Sequence, residues 1–151
     1  MGQAIVDVLV PLYQEMLKNQ AEIRKCWDIA AKVTQTLTYG NCNDLRRPEY
    51  QDHPEPLRGH CYIAAEVVYH LALREGIHLK PMFIRHNDEP HWYLSHRGYG
   101  NEPWEASIDP TAGQFRGIVD YCEGRGKGFL TRQPSKRATE LMRRMDESEL
   151  T

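Results

Sequence analysis

Three side chains stand in an order that can do covalent chemistry together: Cys61, then His91, then Asp109. A cysteine of ordinary pKa, about 8.5, is mostly protonated at neutral pH, and the thiolate is the form that attacks a carbonyl. A neighbouring imidazolium stabilises the anion and later returns a proton to the leaving group. A carboxylate on the far ring nitrogen holds that imidazole in one tautomer. Cys61 is thus the expected nucleophile, His91 the acid and base, and Asp109 the residue that orients His91.

The other thiols are weaker choices. Cys42, in Tyr39-Gly-Asn-Cys-Asn43, is the rival nucleophile, but no helix start adjoins it. Cys26 falls on the apolar face of a helical pattern and Cys122 beside Tyr121, so both are expected in the core. The four cysteines include no CxxC pair, and no HxxxH pair accompanies them, so neither a structural metal nor a cofactor is expected and the thiols read as reduced. For the oxyanion of an acyl-transfer intermediate the backbone N–H of Cys61 is one expected donor, with His60, Tyr39 and Asn41 as side-chain candidates. Trp92, with Glu55, Arg58 and Trp104, is expected to line the cleft.

The elements that must position these groups follow from periodicity. Leu12, Tyr13, Met16, Leu17, Ile23, Cys26, Trp27, Ala30, Val33 and Leu37 recur at helical spacing, giving one long amphipathic helix or a pair. The β-branched Ile5–Val10 run before Pro11 leaves a helical and an extended start both open, and Pro11 either opens the helix or kinks it. Turn formers from Tyr39 to Asp44 lead into a polar, proline-bearing stretch through Arg58, expected as a surface loop. The apolar run from Cys61 then predicts a buried helix capped by Gly76, with Cys61 at its positive amino end. Lys80–Arg85, His91–Ser95 and Trp104–Asp109 alternate like short strands, separated by turns at His86–Pro90 and Gly98–Asn101. A helix start follows Pro134. This order predicts an α+β fold in one domain spanning residues 1–151, with a helical part at about 1–38, a catalytic core at about 57–115 and a basic segment at about 124–145.

Gly59-His60-Cys61 opening a helix, Gly76-Ile77 after it, His91-Trp-Tyr-Leu94 on one strand and Asp109-Pro-Thr111 on the next resemble the core of the transglutaminase-like and papain-like cysteine enzymes. The resemblance covers Gly59 to Phe115. It implies a helix bearing the cysteine packed on an antiparallel sheet bearing the histidine and aspartate. It also implies acyl transfer through a thioester: hydrolysis of, or transfer from, an amide, isopeptide or thioester in a peptide, protein or small amide substrate.

Nineteen Lys and Arg against 21 Asp and Glu leave a formal charge of −2, so the chain as a whole is no electrostatic match for nucleic acid or anionic lipid. Positive charge is local to the carboxy-terminal segment, where Arg125, Lys127, Arg132, Lys136 and Arg137 sit in Gly-rich and helix-starting sequence. These residues are the candidate anion site, and they support an alternative reading as a catalytically silent module that binds an anionic ligand or nucleic acid. Arg143 and Arg144 extend the run into a helix face also bearing Glu140 and Asp146. The amino-terminal residues lack a basic stretch with a cleavage site, and no apolar run is long enough to span a bilayer, so a cytoplasmic protein without membrane contact is expected.

Overall fold

In the computed structural model, which describes residues 2–96 and 106–150, the amino-terminal periodicity forms a single helix, α1 (Gly2–Tyr39). The Ile5–Val10 run is helical, and Pro11 lies inside the helix, where its ring fixes a helix-compatible φ and removes one N–H donor. The two halves of α1 differ in environment. Cys26, Ala30, Val33 and Leu37 are fully buried, whereas Ile5, Leu9 and Leu12 are about half exposed.

Helix α2 (Cys61–Arg74) buries Ile63, Ala64, Ala65, Val67, Val68 and Ala72. It stops where Gly76 takes φ +77°, with Gly76 N–H donating to Leu73 O and Ile77 N–H to Ala72 O, the paired bonds of a Schellman cap. The chain continues into an antiparallel sheet of strand order β3-β2-β1-β4, made by β1 (Lys80–His86), β2 (Glu89–His96), β3 (Ala106–Ile108) and β4 (Arg125–Gly126). The turn between β1 and β2 is shorter than the sequence suggests. Asn87 and Asp88, both at positive φ, form a two-residue hairpin loop, so the strands extend to His86 and from Glu89. Trp104 and the Gly98–Asn101 turn lie outside the described residues.

Alternation along β2 sends neighbouring side chains to opposite faces. Leu94, paired with Ile108, joins the main core with α1, α2 and α3 (Lys136–Leu150). Tyr93 packs on the other side with Met82, Ile84 and Val119, against Phe115 and Tyr121. Among the described residues the architecture is α+β, three α-helices with a four-stranded antiparallel sheet. Burial of each large side chain in the main core contributes about 1.5–3 kcal/mol, which holds α2 against β2 and so fixes what the start of α2 faces.

Polar contacts set the remaining joints. The buried Glu66 carboxylate on α2 accepts from Ser135 N–H at 2.9 Å and from Ser135 Oγ at 2.7 Å. Ser135 Oγ in turn accepts from Ala138 N–H, so α3 is capped by a serine that α2 holds in place. Thr34 of α1 donates to the Pro110 carbonyl at 2.6 Å, tying α1 to the turn after β3. Among the described residues no helix is long and apolar enough to cross a membrane.

Candidate active site

Cys61 is the first residue of α2, half-buried, with a free thiol. The approach to it is geometrically demanding. Gly59 takes φ +84°, and a Cβ there would lie 2.6 Å from Tyr50 Cβ, so only glycine fits this turn. His60 follows as the residue preceding the helix, its carbonyl accepting the first helical bond from Ala64 N–H. The N–H groups of the first helical turn, Cys61 included, point out of the helix end with no partner inside it.

His91 sits on β2 with its side chain 1% exposed, and its Nε2 lies 2.7 Å from Asp109 Oδ2. Phe115 meets the same ring edge-on at 4.7 Å. With Nε2 given to Asp109, Nδ1 is the nitrogen left for Cys61, which lies near enough to the ring to influence its charge. Burial by itself pulls the imidazole pKa down. The hydrogen bond to Asp109, the contact with Cys61 and the charges of both outweigh it and push His91 up to about 9. The imidazole therefore holds its proton at neutral pH, and an imidazolium beside a thiol is the counter-charge that a thiolate nucleophile uses.

Asp109 is buried, and its carboxylate is hydrogen-bonded on both oxygens. Oδ2 accepts from His91 and also from the Tyr121 hydroxyl at 2.7 Å, while Oδ1 accepts from Thr111 N–H at 3.2 Å. Tyr121 is the functional residue that sequence reading misses. It lies in a short 3-10 turn, Tyr121–Glu123, within Gly-rich sequence, and nothing local to it signals a partner twelve residues back.

The other expected site residues divide. Trp92 and Arg58 line the cleft at Cys61, together with Tyr50, Tyr62, Phe115 and Leu130, in a volume of about 360 Å³. Tyr39 and Asn41 do not. Both are exposed and border a separate depression between the ends of α1 and α3, with Arg143 and Arg144, so neither faces the Cys61 cleft. His60 is buried with Nδ1 2.9 Å from the Pro56 carbonyl and Nε2 3.0 Å from the Cys42 carbonyl, which leaves no ring nitrogen for an oxyanion. It ties the long loop to the helix start instead. Glu55 accepts from Leu57 N–H and borders a neighbouring depression. The cleft-facing donor that remains from the sequence-based set is the N–H of Cys61.

Cys42 is buried, its thiol directed at the Thr36 carbonyl at 3.6 Å, and burial raises its pKa, conditions opposite to those of a nucleophile. Cys26 is buried and pushed up to about 11 by burial and then by Glu22. Cys122, expected in the core, is exposed instead. The 3-10 turn sends Tyr121 inward and Cys122 outward, with Asp120 accepting from Cys122 N–H.

The basic segment does not form one patch. Lys127 and Arg137 line the Cys61 cleft; Arg125 lies over the Phe83 ring at 5.6 Å; Arg132 and Lys136 are exposed. Arg143 and Arg144 are neutralised by Glu140, Glu147 and Asp44. Among the described residues no group of three or more His, Cys, Asp or Glu is placed to hold a metal ion.

No protein-family model, curated protein or solved structure matches this chain.

Proposed function

We propose that this chain is a cysteine-dependent hydrolase or acyltransferase with a papain-like or transglutaminase-like core, acting on an amide, isopeptide or thioester. The observation that carries this reading is the 2.7 Å bond between His91 Nε2 and Asp109 Oδ2, made by two side chains almost sealed from solvent, with Cys61 near enough to influence the ring. A buried imidazole locked by a carboxylate and held protonated against a helix-start thiol is costly to build for structure alone.

In the proposed cycle Cys61 Sγ attacks the acyl carbonyl, and the oxygen that gains the electron pair is received by Cys61 N–H at the positive end of α2. The tetrahedral intermediate collapses as the bond to the leaving amine or thiol breaks, and His91 gives that group its proton. A thioester remains on Cys61. Water or an acceptor amine then attacks it while His91 takes a proton, and collapse of the second intermediate frees the thiolate and restores the imidazolium pair.

The test is acylation with p-nitrophenyl acetate near neutral pH, following p-nitrophenolate release and locating the acetyl group by peptide mass spectrometry. Acetyl on Cys61, lost in Cys61→Ala and strongly slowed in His91→Ala, is the expected result. Equal slow acylation of Cys61 and the exposed Cys122, indifferent to His91, would refute the reading.

A further inference from the structure

Four basic side chains and one carboxylate share the walls of the Cys61 cleft: Arg47, Arg58, Lys127 and Arg137 against Glu89. Two of the four have carboxylate partners, Arg58 with Glu89 and Arg47 with Glu49 at 3.3 Å. The other two have none among the described residues. Lys127 Nζ lies 4.4 Å from the centre of the Phe83 ring and 5.4 Å from that of Trp92, faces that attract a cation without neutralising it. Arg137 gives Nη1 to the Leu45 carbonyl at 3.0 Å, which satisfies one donor and supplies no opposing charge.

Lys127 is also built into place. Its N–H donates to the Pro81 carbonyl at 3.1 Å, and three residues on Leu130 N–H donates to the Tyr62 hydroxyl at 2.8 Å. Tyr62 is the residue after Cys61, and Phe129 stacks on Trp92. The strip carrying Lys127 is thus fastened to β1 on one side and to the helix start beside the nucleophile on the other. Aromatic walls make the cleft a region of low dielectric, where uncompensated charges act more strongly than on open surface. Its local sign is positive on a chain whose formal charge is −2.

From this we infer that the acyl donor taken by the Cys61 cleft is anionic, carrying a carboxylate or phosphate group that Lys127 and Arg137 receive. The inference rests on the catalytic reading above for the word donor, and on the cleft charges alone for the word anionic. Both oxyanion types satisfy an ammonium and a guanidinium, so the shared chemistry is a negatively charged oxygen group beside an apolar body that fits against Trp92 and Phe115.

The experiment compares alkylation of Cys61 by iodoacetate, which is anionic, with alkylation by iodoacetamide, which is neutral and of nearly the same size. The ratio of the two rates cancels any general change in thiol reactivity, and every chain compared retains His91, whose own charge attracts iodoacetate. In Lys127→Met and in Arg137→Gln the ratio is expected to fall about three- to fivefold at low salt, and in the unaltered chain to fall as ionic strength rises from roughly 20 to roughly 500 mM. Protection of Cys61 from iodoacetamide by succinate in preference to inorganic phosphate assigns the carboxylate, and the reverse preference assigns the phosphate. A ratio that neither substitution moves overturns the inference, whatever salt does, because His91 by itself gives a salt effect. If Cys61 is no faster than Cys122 towards iodoacetamide while the ratio still falls in both variants, the catalytic reading fails and the anion site stands.

Discussion

Tyr121 donates its hydroxyl to the same oxygen of Asp109 that His91 uses, each at 2.7 Å. Burial first, and then the hydrogen bond and charge of Asp109, hold the phenol pKa above its ordinary value, so Tyr121 stays a donor across the working pH range. Removing the hydroxyl leaves the carboxylate with one donor fewer and a stronger pull on the imidazole proton. Tyr121→Phe is therefore expected to cost about 1–2 kcal/mol in urea unfolding and to move the His91 titration to higher pH, read from the alkaline limb of Cys61 alkylation. A variant that loses stability with the limb unmoved would make Tyr121 a packing residue only.

The His91 proton also sets a pH dependence of folding. Because the imidazole pKa of about 9 in the folded chain lies above the roughly 6.5 of an unfolded histidine, the folded state binds more protons between these values, and stability falls as pH rises through that window. The contribution, on the order of 3 kcal/mol, is present in full below about pH 6.5 and gone above about pH 9. Urea midpoints at several pH values should show that decline. Asp109→Asn removes the carboxylate that holds the proton and should flatten it, while lowering stability at the acid end.

Gly59→Ala tests the turn that delivers Cys61. The substitution adds a methyl against Tyr50 at a backbone φ of +84°, so a loss of about 2 kcal/mol or more is expected. Alkylation of Cys61 should slow in the same variant at temperatures where circular dichroism still reports native helix. Gly76→Ala, at φ +77° with open space around it, should show the lesser loss and leave alkylation of Cys61 close to that of the unaltered chain.

Glu66 offers a test distant from the cleft. In Glu66→Ala the Ser135 N–H and hydroxyl lose their buried acceptor, a change expected to cost about 2–4 kcal/mol in thermal or urea unfolding. Glu66→Gln keeps one acceptor oxygen and should lose about half as much. Equal losses in the two variants would point to the charge at the start of α3, rather than the hydrogen bonds, as the stabilising element.

The parts of this molecule that can be read from sequence are those encoded by local pattern. Helix α2 announces itself through its apolar run and Gly76, β1 and β2 through alternation, and the α+β architecture through their order. What escapes is set by tertiary partners. Strand β4 is two residues long in Gly-rich sequence and exists because Met82 and Phe83 pair with it. Tyr121 matters because Asp109 is across from it, and Cys122 is exposed because a 3-10 turn separates the directions of adjacent side chains. Tyr39 and Asn41 are close to Cys42 in sequence, but the link from that loop to the helix start is made by the His60 ring on the Cys42 carbonyl, and the side chains of Tyr39 and Asn41 are left at the far end of α1.

Cys61 stands at the start of a helix, His91 on a strand and Asp109 after another strand, and these meet through packing of α2 against the sheet and the pairing of Leu94 with Ile108. A chain released in part, with α2 formed but undocked, carries a thiol with neither its imidazolium nor its carboxylate. On the proposed catalytic reading, the alkylation rate of Cys61 is a built-in gauge of assembly. It reports helix-to-sheet docking from a native side chain without an added label, and a refolding chain should recover it together with tertiary packing rather than with its helix content.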